Sequence, residues 1–488
     1  MYARDDVAKH RNGARTIRNN IVMKHGGTTN RAGFGFVCEV NDSTKATRII
    51  EFIYSSDDSL VLEMGDEYIR FIANGTQVRL AAQNITAITQ ANPAVVTIVG
   101  HGLASNEEVY ITGVSGMTQI NNRNYKITVL TADTFSLQDM DSTTNINSTS
   151  FTAYSSGGTA AEVYQITSPY QEDELFDINF TSSGDIITLA HPNHRPRELI
   201  RTSNPSWALS VKAFTPTQAS PTAISASAGG AGANTYKYTV TAINEETFEE
   251  SLPGIISTIR TITGATQANP VVITSNAHGY ANGDTVIIYS VVGMTELNGR
   301  HFVVANVAAN TFELEEENGT GYAAYSSGGS AARTFITLAT AAAPTAAAPH
   351  TVSWTKATGA REYNVYKESN GVYGLIGIAS GTSFLDIGLT ADTANTPPSS
   401  RDPFIGAGNF PSSVTYVQQR MAFAGTDEDI EKIWMSRIGA FGNFTTSYPL
   451  QADDAITFSI VGYRVDAIKH MLDPVSYTHL TLPTKRIV

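Results

Sequence analysis

Apolar and polar positions in this chain alternate mostly with a period of two, the pattern of half-buried strands. Arg48-Ile49-Ile50-Glu51-Phe52-Ile53-Tyr54 and Leu60-Val61-Leu62-Glu63-Met64 read as two strands. Gly65-Asp66-Glu67 turns into Tyr68-Ile69-Arg70-Phe71-Ile72, and Asn74-Gly75 turns again. Residues 163–170, 185–190, 207–209, 236–242, 352–354 and 363–366 carry the same pattern, as do 420–425 and 432–437. One stretch differs. Val7, Ala14, Ile17 and Ile21 recur at spacings of seven, three and four, which predicts a helix over 5–22, ended by Gly26-Gly27.

A block of about 75 residues occurs twice, each time splitting a different host segment. Thr89-Gln90-Ala91-Asn92-Pro93 returns as Thr266-Gln267-Ala268-Asn269-Pro270. His101-Gly102 returns as His278-Gly279, Gly116-Met117-Thr118 as Gly293-Met294-Thr295, and Thr134-Phe135 as Thr311-Phe312, all 177 positions apart. The closing Tyr154-Ser155-Ser156-Gly157-Gly158 and Tyr325-Ser326-Ser327-Gly328-Gly329 are 171 apart, so the first copy holds six extra residues, assigned to the polar loop 139–150. Copies separated by unrelated sequence do not form a solenoid, whose repeats share one core with their neighbours. Each copy reads as a cassette that folds alone, a small antiparallel barrel or sandwich plugged into a host loop. The predicted domains are therefore 1–83 plus 163–216, an inserted module at 84–162, a second host at 217–259 plus 336–398, a second module at 260–335, and a further β region at 399–474. The fold class is mainly β and multidomain, with one short helix.

Composition narrows the function. Tyr and Phe are plentiful, at 21 and 20, while charged residues make up 16% of the chain, which favours short strands over helical bundles. The net charge of −13 argues against phosphate-backbone binding as the main task, although an acidic wall can line a channel through which DNA slides without sticking. The single cysteine, Cys38, excludes an intramolecular disulfide framework and any multi-cysteine metal site. It lies in the run Phe36-Val37-Cys38-Glu39-Val40 and reads as a small buried hydrophobe. No stretch approaches 18 apolar residues, so no membrane-spanning helix is expected, and the first residues lack the apolar core of a signal peptide.

Candidate chemistry is sparse. His191 and His194 stand three apart near Arg195 and Arg197, but Pro192 and Pro196 favour an extended turn over the helix a His-Glu-x-x-His zinc site needs. Packing or an inter-subunit contact is the favoured role. His101 and His278 each precede Gly at a strand end and read as turn residues. Asp427, Glu428 and Asp429, and the pair Asp453-Asp454, are acids of the kind glycoside cleavage uses, but adjacent acids in a polar loop are ordinarily solvated. Glu313, Glu315, Glu316 and Glu317 read as a solvated hairpin tip. No catalytic, cofactor-binding or metal-binding residue is assigned, and no cofactor is expected.

Several segments resemble known families. Arg15-Thr16-Ile17-Arg18-Asn19-Asn20-Ile21-Val22, Asn30-Arg31, Leu62-Glu63-Met64-Gly65-Asp66 and His191-Pro192-Asn193-His194-Arg195-Pro196 are similar to the nozzle, or tail tubular protein B, family of short-tailed bacteriophages. Val417-Gln418-Gln419-Arg420-Met421-Ala422-Phe423-Ala424-Gly425, Ile433-Trp434-Met435-Ser436-Arg437 and Asn443-Phe444 resemble that family's approach to its β-propeller. The resemblance implies a structural virion protein of a phage tail, made in a bacterial cytoplasm. It implies a ring of copies of itself, a hexamer, enclosing a DNA passage and touching other tail proteins. The cassettes resemble the first-catalytic-cysteine half-domain (FCCH) of ubiquitin-activating enzymes. Activation itself is not expected, since the chain has neither a Gly-rich phosphate loop after a strand nor a catalytic cysteine. The segment around Trp354 resembles a fibronectin type III sandwich, with its Tyr-x-Tyr strand placed unusually before the Trp strand. Residues 399–474 then stand as the start of a truncated propeller, and 475–488 resemble translated sequencing-adapter read-through, so the gene is expected to continue past Pro474. The second reading is a receptor-binding adhesin whose modules bind bacterial surface glycans, and the third is a tail-associated hydrolase.

Overall fold

The computed structural model describes residues 16–472 except 24–26, 34, 56–58, 141–142, 257, 399–401, 405–407, 447–449 and 461–465. The chain divides into two compact units, 1–44 with 70–164, and 45–69 with 165–488. Among the described residues the regular structure is almost wholly antiparallel strand, with two single-turn 3-10 helices at Thr118–Ile120 and Thr295–Leu297. Of the stretch predicted to be helical, 5–15 lies outside the described residues, and Asn20–Val22 is a strand paired with Thr28–Asn30. Residues 16–22 are exposed, so their apolar spacing serves no packed helical face. The adapter-like tail also lies outside the described residues.

The first unit is dominated by a seven-stranded antiparallel sheet running from Gln83–Asn84 to Ser156–Glu162. Its two edges are Gln83–Asn84 and Ala87–Ile88, consecutive pieces of one stretch. The sheet thus curls until its edges are joined through the chain, while the hydrogen-bond ladder stays open. The expected barrel is not closed. Inward positions alternate along Glu108–Ser115 and Arg123–Thr131, and Val109, Ile111, Tyr125, Ile127, Phe135 and Leu137 fill the core with no host residue among them.

The second unit repeats this sheet between Ile259–Thr261 and Ser327–Arg333, in the same strand order. Its core of Val286, Ile288, Phe302, Val304, Phe312 and Leu314 is likewise its own. The copies run in register through Leu137 and Leu314, so the six extra residues of the first lie between Leu137 and Ser156.

The second host packs a three-stranded sheet (Thr222–Ser227, His350–Thr355, Ser383–Asp386) and a four-stranded sheet (Ile336–Ala341, Ala231–Asn244, Ala360–Ser369, Val372–Ala379) on one core. Trp354 meets Tyr363 inside it, ring centroids 5.2 Å apart. The unit also holds two four-stranded meanders, one over 179–211 and one over 413–459, and the paired strands Arg48–Ile53 and Ser59–Gly65. Phe214, just past the first meander, joins Phe404, Phe423, Trp434 and Phe444 in a shared aromatic core. The last strand, Ile456–Ser459, leaves Ile456 and Phe458 each 42% exposed.

Candidate functional site

The repeated motifs are structural fasteners. His101 Nδ1 accepts the Leu103 backbone N–H at 3.0 Å, leaving Nε2–H to donate to the Thr131 carbonyl at 3.1 Å. His278 does the same with the Tyr280 N–H (3.0 Å) and the Ala308 carbonyl (2.9 Å). Both rings are buried edge-on to a core phenylalanine, Phe135 or Phe312, with centroids 5.3 and 5.1 Å away. Gly116 and Gly293 adopt φ of +86° and +91°, and a Cβ there would lie 2.1 or 2.2 Å from the carbonyl oxygen of Ala153 or Ala324; only glycine fits. Asn121 exchanges two side-chain hydrogen bonds with the backbone of Val114, and Asn298 with that of Val291.

The face each module turns to its host is not repeated. In the first unit Arg70, 1% exposed, donates to Glu108 at 2.5 Å and to Asn41 at 2.8 Å. Asn124 donates to Gln77 (2.6 Å) and to Glu108, and Lys126 reaches Asn41. This is a buried, fully engaged polar network, and within it each charge has a partner. At the matching positions of the second module stand Thr285, His301 and Val303. Here the junction with the second host leaves a partly open cavity of about 290 Å³, walled by Pro253, Phe335, Tyr373, Pro397 and Pro398 together with Thr239, Thr285 and Thr334. Both His301 ring nitrogens are buried without a hydrogen-bond partner. Burial, opposed only weakly by the Pro253 carbonyl, pushes the imidazole down to about 4.

His191 and His194 do converge, together with Glu174, which carried no sequence signal because its turn is distant in the chain. The ligand-type atoms of the three lie within 4.8 Å of one another. The protons decide what this cluster can do. His191 Nδ1 accepts the Asn193 backbone N–H at 3.1 Å, so its hydrogen sits on Nε2, which has no partner. His194 Nε2 is 2.7 Å from Glu174 Oε2 and donates to it. A metal on His191 Nε2 would need the hydrogen moved to Nδ1, against an N–H already pointing there. The arrangement is a hydrogen-bonded brace. Burial alone would raise Glu174, but the Gln171 backbone N–H and the His194 and Asn193 side chains outweigh it and hold the carboxyl at about 2. Burial lowers His191, and neighbouring His194 adds to that.

The other weighed acids are occupied or solvated. Arg437 pairs with Asp453 at 2.6 Å and Asp454 at 3.1 Å. Burial works to raise Asp453, but Arg437 overrides it and the carboxyl is lowered, the wrong direction for a general acid. Asp429 pairs with Lys432 at 2.6 Å, and Asp427 and Glu428 are exposed. The solvated-tip reading fails at Glu317. It is 7% exposed and chelates Arg300 through two 2.7 Å hydrogen bonds, with Tyr322 donating to it as well. The acidic run hid this because Arg300 stands 17 residues away on another strand. Cys38 is half-buried rather than core, and its neighbours Phe36 and Val37 are exposed.

With this geometry in place, the comparison with known families is specific. Residues 91–164 and 268–334 each match the profile of the ubiquitin-activating enzyme E1 FCCH domain. Each match spans five of the seven strands of a curled sheet, leaving out the two short strands that precede it, and the chain's single cysteine lies outside both. No curated protein sequence matches the chain.

Proposed function

We propose that the chain is a structural component of a bacteriophage tail, a nozzle- or hub-like ring subunit carrying two FCCH-type modules as inserts. The carrying observation is the way the modules are set into their hosts. Each has a core of its own, and its incoming and outgoing strands are antiparallel neighbours, Gln83 opposite Ala160 and Ile259 opposite Ala332. Such ends lie about 5 Å apart, so a host bend accepts the module without repacking, as inserted domains generally require. That is the design of a scaffold that gains surface rather than of an enzyme assembled around a cleft. The order of the tail-like motifs in the host segments supports the same reading. So does a four-stranded meander at 413–459 with the strand count of a propeller blade.

In this reading the β units build a rigid wall around a DNA passage, and the acidic balance of −13 keeps DNA from adhering. Electron microscopy of the purified chain is the test: rings with a central hole wide enough for a DNA duplex are expected. A chain that stays monomeric at every concentration, or that retains duplex DNA at low salt, contradicts the proposal. Surface-glycan recognition is the second reading, favoured by the cavity at the second module's junction.

A further inference from the structure

The cavity beside His301 has features that neither fold nor assembly requires. The equivalent junction in the first unit carries a satisfied network of Arg70, Glu108, Asn124 and Asn41, and the pocket of about 300 Å³ beside it is lined by charged and polar side chains, Glu39, Arg79, Arg123 and Asp139 among them. At the second, the same strand positions leave about 290 Å³ open and an imidazole with both nitrogens buried and unanswered. Buried polar atoms in native proteins ordinarily have partners. A neutral imidazole offers one N–H and one lone pair, so its missing partner must both accept and donate. A hydroxyl does both, and vicinal hydroxyls on one ring can serve two nitrogens.

The walls narrow the choice. The Phe335 and Tyr373 rings stand 6.0 Å apart, centroid to centroid, and tilted by 39°. Prolines 253, 397 and 398, Phe302 and Val303 extend the apolar wall, Thr239, Thr285 and Thr334 stand with His301 on the polar side, and among the described residues no carboxylate, lysine or arginine lines the space. Aromatic and apolar walls with a few polar groups describe a small-molecule site, and the lack of a carboxylate, lysine or arginine among the described lining residues selects against uronic acids, sialic acids and phosphates.

We infer that this junction is a binding site for one neutral sugar ring, which stacks on the Tyr373–Phe335 wall and hydrogen-bonds through its hydroxyls to His301. This goes beyond the structural role and does not depend on it, since a scaffold ring and a monomer would present the same cavity.

Saturation-transfer NMR on the full chain tests it with glucose, galactose, mannose and N-acetylglucosamine, with glucuronate as the charged control. At least one neutral sugar should bind in the millimolar range, while glucuronate does not. His301→Leu removes the anchor and should weaken binding about tenfold, the cost of one buried hydrogen bond. Val303→Trp fills the cavity from a side chain already 39% exposed and should abolish binding. Circular dichroism on both variants checks that the β fold is retained. No transfer to any neutral sugar overturns the inference. So does binding unchanged in both folded variants, or binding of a proline-rich peptide at this site with no sugar response.

Discussion

Three histidines, at 101, 191 and 278, share one local geometry: each takes the backbone N–H two residues ahead into Nδ1. The turn fixes the tautomer, and the surroundings decide what Nε2–H does. In the modules it donates to a carbonyl, so His101→Ala or His278→Ala should cost about 2 kcal/mol in urea unfolding, from one lost hydrogen bond and one orphaned buried group. At His191 the hydrogen is unpaired, and zinc or EDTA should leave the melting temperature unchanged. A zinc-dependent rise would show that the tautomer assignment is wrong. His301 carries a pH signature of its own. Its folded value is depressed from 6.5 to about 4, so its contribution is intact above pH 6.5. It is lost as pH falls toward 4, because the unfolded chain takes up the proton first. The loss should reach about 3 kcal/mol, read as a change in urea midpoint, and His301→Leu should flatten it. Glu174 acts in a lower window. Its pairing helps above pH 4.5 and is lost as pH falls toward 2.

At the scale of strands and their pairings, two arginines at the same place in the repeat have different fates. Arg123 pairs with Asp139 at the surface, both partners more than a third exposed, whereas Arg300 and Glu317 are buried. Arg123→Ala should change stability by less than about 0.5 kcal/mol. Glu317→Ala should cost about 3–5 kcal/mol by stranding a buried guanidinium, and equilibrium unfolding compares the two directly. This difference was not legible in the sequence, because an acidic run at a loop looks the same whether or not a distant cation folds onto it. Strands were legible wherever one face is buried: 60–64, 68–72, 236–242 and 420–424 all show period-two alternation or continuous burial and are strands in the structure. Within the stretch 5–22, the described residues 16–22 depart from the helix because their apolar side chains do not pack: Ile17, Ile21 and Val22 are 40%, 55% and 65% exposed. Glu174 and the host walls around His301 went unseen for a common reason. They meet their partners only through tertiary packing, and a single sequence records no such contact.

At the scale of the whole chain, one module design is reused with different attachments, a charged network in one unit and an aromatic-walled cavity in the other. The repeated residues secure each sheet to itself, and the unrepeated ones carry what differs between the two sites. This division of labour depends on each module folding without its host. Calorimetry on residues 83–164 and 259–334, each expressed alone, tests that dependence most directly. The account predicts a single cooperative melting transition for each fragment, with dispersed amide resonances. A fragment that shows neither, and orders only when its host segments are added back, would contradict it.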